Sequence, residues 1–192
     1  MGTTQPIRNA AEVEQLKNYY YEKKPNLRNY TLICLGMNSA LRISDLLELN
    51  WKDVYNFEKS CFLKHLSVTE HKTGKQTQIA LNHSALEALK VYMDSIPAPK
   101  PGQYLFPGKK ENTHLSRSQA FRMIREAGQE LHFETGISCH SLRKTFGYHA
   151  WKSGAQPVML MNIYNHSSYQ ITKRYLGIDQ DDKDKLFLDV NL

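Results

Sequence analysis

Cysteine is scarce in this chain and carries no pattern. Cys34, Cys61 and Cys139 are scattered and odd in number, with no C-x-x-C pair. This excludes a disulfide framework and a zinc knuckle, and it suits a reducing compartment. No apolar run approaches the roughly 18 residues that a membrane span requires; the longest, 30–37, reads as one buried segment. The amino end lacks a charged-then-apolar leader, and Pro6 stands where a Met1-Gly2 myristoylation signal prefers Ser or Thr. Long Gly/Ser/Pro linkers, internal repeats and low-complexity blocks are also missing. His83, His114 and His132 have no metal-ligand spacing. The expectation is a cytoplasmic protein without membrane contact.

The most informative shortage is of acid. Lys plus Arg total 25 and Asp plus Glu 19, giving a net charge of +6 over 192 residues. Residues 135–178, 44 in all, contain neither Asp nor Glu, where the chain's mean frequency would put about four. The same stretch carries Arg143, Lys144, Lys152, Lys173, Arg174 and three histidines. Such a distribution is the footprint of a face presented to phosphates. Metal-assisted phosphoryl transfer needs clustered carboxylates to hold its ions. Here charge on a phosphate would instead be met by side-chain cations, arginine above all, whose fork of donors meets two oxygens at once.

A hydrophobic fraction of 41% supports a real core, and the patterning reads as one mostly α domain with a small antiparallel β-sheet (α+β). Asn9 with Glu12 opens a helix to about Tyr21, and a second runs over 26–36. Arg42 leads a short amphipathic helix over 43–49. Strands are expected at 62–69 and 76–81 around the tip Lys72-Thr73-Gly74-Lys75. Ser84 with Glu87 opens a helix to about Ser95, and the proline-rich stretch 96–102 is a stiff surface loop. Ser116 with Gln119 opens another helix, to about His132. Ser141 caps one that stops at Gly154, and Pro157 begins one that ends near Tyr164. Ser167 with Gln170 starts a helix that contains Tyr175 and halts at Gly177. The tail, 179–192, is acidic first and apolar last.

Within the basic region, His140-x-x-Arg143 sets an imidazole and a guanidinium on one face of a helix start, beside its free N–H groups. A site of this kind needs a nucleophile of its own or an activated water, and Tyr175 is a candidate. A phenol with a free pKa near 10 needs cations or a base to act as one.

Five blocks stand in order: Ala40-Leu41-Arg42-Ile43-Ser44-Asp45-Leu46-Leu47-Glu48-Leu49, His71-Lys72-Thr73-Gly74-Lys75, His140-Ser141-Leu142-Arg143, Asn165-His166-Ser167-Ser168 and Thr172-Lys173-Arg174-Tyr175. Together they resemble the catalytic domain of the tyrosine recombinase (phage integrase) family, over about 9–178. The resemblance implies that fold and a site-specific DNA recombinase working without metal, ATP or other cofactor. Arg42 and Arg143 would grip the scissile phosphate, with His166 adding a hydrogen bond. Lys72 would protonate the departing 5′ oxygen, His140 would serve proton transfer, and Tyr175 would form a 3′-phosphotyrosyl link. Type IB topoisomerase-like DNA strand breakage and rejoining and a non-catalytic DNA-binding regulator use the same scaffold and are the alternatives.

Some positions depart from the family pattern. Lys144 replaces a common histidine, Tyr164-Asn165 replaces a Leu-Gly, and Ala40 replaces a frequent glycine. Asparagine tolerates the left-handed conformation a glycine would adopt, so the turn into His166 is expected to survive. Only 41 residues precede Arg42, too few for the family's usual core-binding domain. The expected organisation is a single catalytic domain over 1–178, as in short fimbrial-switch invertases or a fragment of something longer, plus a tail over 179–192 that docks on a neighbouring protomer or packs back. Double-stranded DNA is the expected partner, bound by a homotetramer. Its contacts would come from Lys109, Lys110, Arg117, Arg122, Arg125, Lys144 and Lys173.

Overall fold

The computed structural model describes residues 4–190; Met1-Gly2 and the last two residues of the expected tail lie outside them. Helix α1 (Ala10–Asn18) is capped by the Asn9 side chain, which accepts from the Ala11 N–H at 2.9 Å. It runs into a π-helical turn, Tyr19–Lys23, whose wider winding brings both Tyr19 and Tyr20 inward. Helix α2 (Leu27–Ser39) is the central pillar, with Leu32, Ile33, Cys34 and Leu35 fully buried. It outlasts its expected end by three residues and stops at Ala40, which adopts a left-handed φ of 54°. Gly36 permits the close crossing of α2 with a later helix: a Cβ there would lie 2.8 Å from Leu142 Cδ1.

Short helix α3 (Ile43–Leu47) follows, with Arg42 at its N-cap. The single expected sheet is two. Strands β1 (Tyr55–Asn56) and β2 (Cys61–Phe62) form one antiparallel pair, and β3 (His65–Thr69) and β4 (Gln76–Ala80) the other, in register from His65↔Ala80 to Thr69↔Gln76. The expected strand 62–69 is divided because the backbone changes partner midway. The Leu63 N–H donates to Val54 C=O at 2.9 Å, whereas the Lys64 C=O accepts from Leu81 N–H at 3.0 Å.

Helix α4 (His83–Asp94) packs on α2 and is capped by Asn82, one residue before the first helical position and two before the expected Ser84. After a long loop, α5 (Arg117–Glu130) opens on the expected Ser116/Gln119 capping box. Helix α6 (Cys139–Lys152) opens on a box between Ser138 and Ser141, so Ser141 is its third residue and Ser138 the cap. Helix α7 (Pro157–Tyr164) ends at Asn165 with a left-handed φ of 56°, as its residue type suggested. Helix α8 (Tyr169–Leu176) is capped by Ser168, not Ser167, and is stopped by Gly177 at φ 75°. Helix α9 (Asp179–Asp189) occupies most of the tail.

Two apolar clusters result. The larger joins α1 to α5 with the hairpins; the smaller gathers Ala40, Tyr148, Leu160, Tyr164, Leu176 and Ile178 between α6, α7 and α8. Helix α6 feeds both, Leu142 into the first and Tyr148 into the second, so its first turn lies at their junction. The tail does not pack back through its apolar end: Leu186, Phe187, Leu188 and Val190 are 56–82% exposed.

Candidate active site

The junction holds Arg143, 4% exposed. Its guanidinium donates to the carbonyls of Ala40 and Ile163, the latter at 3.5 Å, and lies 4.9 Å from the centroid of the Tyr164 ring. The Tyr164 hydroxyl donates to the Arg143 carbonyl at 2.8 Å. Anchors from the end of α2 and from α7 thus fix one cation by neutral groups alone, leaving its charge uncompensated.

Arg42 approaches from α3 and is held differently. Its partner is the carboxylate of Glu70, 3% exposed at the end of β3. Glu70 also accepts from the Thr73 hydroxyl at 3.1 Å, and its carbonyl takes the Gly74 N–H at 2.8 Å. Gly74 sits at φ 64°, a conformation that favours glycine and lets the loop turn this tightly. The next residue, His71, donates its N–H to Asp45 Oδ1 at 3.1 Å and pairs through its ring with Glu48. Lys75 Nζ reaches the Asn162 carbonyl at 2.9 Å. The β3–β4 tip is therefore tied to α3 on one side and to α7 on the other.

Tyr175, half-buried on α8, completes the cluster. Its ring lies 5.2 Å from that of His166 and 5.3 Å from that of Tyr164, centroid to centroid. His166 is braced from α8 as well, its Nδ1 being 3.1 Å from Thr172 Oγ1. Burial pushes the Tyr175 phenol above its ordinary pKa. Arg143 opposes that through its charge and a hydrogen bond, and Arg42 opposes it through charge. Burial also holds His140 and His166 below the usual histidine range. Nearby cations push the same way: Lys144, Arg143, Arg117 and Arg42 for His140, and Arg143 and Arg42 for His166. Two imidazoles held towards neutrality, two guanidinium groups and a phenol therefore lie close enough to act on one another through charge. Such a set can hold an oxyanion and move a proton beside it.

Arg42, His140, Arg143, His166 and Tyr175 are thus brought together. Lys72 is not drawn into that cluster: it stands exposed at the tip of the clamped loop. Of the expected DNA contacts, Lys109, Lys110, Arg117, Arg122 and Arg125 are exposed, the arginines on α5 with Phe121, 41% exposed, among them. Two depart from expectation. Lys173 pairs with Asp182 of α9, and Lys144 is buried at 7%, donating to the Thr4 carbonyl at 2.6 Å. Glu70 and Tyr164 are site residues that sequence reasoning missed, and Lys144, expected on the DNA, lies instead against the Tyr175 ring. The order Glu70-His71-Lys72 and the adjacency of Tyr164 to Asn165-His166 were the available signals. Among the described residues, no three His, Cys, Asp or Glu side chains are grouped to hold a metal ion, and no helix is long and apolar enough to cross a membrane.

The phage integrase family model matches residues 9–181. The chain belongs to the phage integrase family. A relative in Bacillus subtilis (strain 168), the "Probable integrase/recombinase YoeC", is 41% identical over 181 residues, covering 94% of this chain and 93% of that one. The crystal structure of XerA recombinase superposes with a TM-score of 0.74 at 19% identity over 98% of this chain. The Tn1549 transposon integrase in complex with a circular intermediate DNA superposes with a TM-score of 0.68 at 21% identity over 91%. The chain spans 65% and 62% of those two solved structures. They share the fold of this family's catalytic domain: mostly helical, here with two small antiparallel sheets.

Proposed function

We propose that this chain is a site-specific DNA recombinase that cuts and rejoins strands through Tyr175. The observation that carries the reading is the convergence of Arg143 and Arg42 on the phenol of Tyr175 within one chain, flanked by two histidines held neutral. In the reaction, a scissile phosphate displaces part of the Arg42–Glu70 pairing and sits between the two guanidinium groups, with His166 donating to a non-bridging oxygen. Tyr175 Oη attacks phosphorus and its proton passes to His140. The bond to the 5′ oxygen breaks, and Lys72 supplies the proton that makes this oxygen a hydroxyl. A 5′ hydroxyl from another strand reverses the steps. The phosphotyrosyl bond conserves the energy of the phosphodiester, so ATP is not required. The developing charge meets fixed cations, so no metal is needed at the phosphate.

Arg117, Arg122 and Arg125 on α5, with Lys109 and Lys110, supply exposed cations for the DNA backbone. The protein works in the cytoplasm as a tetramer on DNA, and the exposed apolar end of α9 supports docking on the adjoining protomer. Covalent trapping tests the proposal. A nicked suicide duplex, incubated in a metal chelator, is expected to yield a protein–DNA adduct with the wild-type chain and none with Tyr175→Phe. An adduct that survives Tyr175→Phe, or none from the wild type on a pool that includes its site, rejects the reading. Relaxation of supercoils without exchange between two sites would move it to the topoisomerase class.

A further inference from the structure

Lys144 follows Arg143 on α6 but faces another way. Its Nζ, besides donating to the Thr4 carbonyl, lies 4.9 Å from the centroid of the Tyr175 ring. The segment that holds it, residues 4–8, is laid across α6. The Ile7 N–H donates to Thr145 Oγ1 at 2.9 Å, the Ile7 carbonyl lies 3.0 Å from His149 Nε2, and the Ile7 side chain is 2% exposed. The far end of the same segment grips the C-terminal turn of α8, two residues beyond Tyr175. Arg8 Nη2 donates to the Gly177 carbonyl at 2.7 Å, and Nη1 lies 3.6 Å from Asp181 of α9.

Helix α8 has only eight residues. Two turns are marginal on their own, so tertiary contacts must set where the helix sits. Buried Leu176 and Thr172 supply part of this. The Lys144 ammonium over the Tyr175 ring and Arg8 on the Gly177 carbonyl both fix the C-terminal turn that carries Tyr175, and a desolvated ammonium is held more firmly to a ring face than an exposed one. Burial also draws the Lys144 pKa down, in keeping with an ammonium held away from water.

We propose that Lys144 is a positioning residue for Tyr175 and that residues 4–8 form a strap in cis. Together they fix the last turn of α8 and with it the place of the Tyr175 hydroxyl. The inference rests on Tyr175 as the nucleophile. A displacement of about 1 Å at a reacting atom can reduce a rate about 100-fold, so a slack strap should show in the rate of attack rather than in DNA affinity.

The test uses the full chain on the nicked duplex, with three variants. Lys144→Met keeps the packed stem and removes the ammonium, Lys144→Arg keeps a cation, and Arg8→Gln releases the other end of the strap at a side chain that is 42% exposed. Lys144→Met and Arg8→Gln should slow adduct formation at saturating DNA about 10- to 100-fold, with affinity and melting temperature close to wild type. Lys144→Arg should recover most of the rate. Wild-type rates in both Lys144→Met and Arg8→Gln overturn the proposal, and if Lys144→Met does not fold, Arg8→Gln alone decides. A second readout separates this inference from the reading beneath it. With 3-fluorotyrosine at position 175, the fluorine resonance should move in Lys144→Met and Arg8→Gln whether or not the wild type cleaves DNA, and an unmoved resonance sinks the strap.

Discussion

The two arginines of the site are held in place by opposite means. Arg143 is buried and held by two backbone carbonyls and an aromatic face, none of them charged. Arg42 is 21% exposed at its side chain and held by a carboxylate. One half of the site therefore keeps a full positive charge inside the fold, while the other keeps a neutralised pair that can open. The same contrast runs through the histidines. On the Arg143 side His140 and His166 are held neutral by burial and neighbouring cations, whereas His71, beside Arg42's loop, is pushed up by Glu48. The fold supplies a fixed electrostatic floor on α6 and an adjustable wall on α3 and the β3–β4 tip.

The sharpest way to break this contrast is at the floor. Arg143→Ala should reduce covalent adduct formation by about 1000-fold, the scale of losing one preorganised oxyanion donor, while DNA affinity falls by less than tenfold. Gel-shift and trapping assays read the two separately, and equal losses in both would assign Arg143 a structural role. The wall should respond more mildly. Glu70→Ala should lower stability by about 1–3 kcal/mol, since it leaves the Arg42 guanidinium and the Thr73 hydroxyl without their partner. It should also slow cleavage about tenfold by slackening the tip that carries Lys72, and Glu70→Gln should recover most of the stability in thermal melts. The smallest effect is that of pH. The folded-state pKa values of His140 and His166 lie below the unfolded value, so the stability tied to their neutral forms is complete above the ordinary histidine pKa near 6.5. It is lost as pH falls from there through the lowered values. If His140 takes the Tyr175 proton as proposed, cleavage should accordingly persist to a lower pH than an ordinary histidine allows. A pH–rate profile that breaks above pH 6.5 would contradict this.

Much of this arrangement was legible in the chain. The acid-free stretch 135–178 contains four of the five converging residues, and the ordered blocks named the fifth, Arg42. Local chemistry was readable where one residue had one plausible role. Ser116 with Gln119 did form its box, and Asn165 did take the left-handed turn. It failed where neighbours competed for a role. Ser138 and Ser141 are joined in a single box and either could have been the cap, and Ser167 stood beside Ser168. Burial of charge was illegible for a different reason. Lys144 and Glu70 look like solvated residues because their partners, the Thr4 carbonyl and Arg42, lie 140 and 28 residues away. Splitting of the sheet was hidden likewise, since a change of backbone partner at Leu63 and Lys64 leaves no mark on side-chain alternation.

The Arg42–Glu70 pair has a bearing on which anions can load the site. A free phosphate or sulfate ion arriving alone must compete with an internal carboxylate and brings nothing else to offset the exchange. On the proposed reading, a phosphate embedded in a duplex would arrive with its neighbours engaged by exposed cations such as those of α5, and their combined attraction would help to open the pair. The pair would thereby favour phosphates carried on a polymer over the small free anions of the cell.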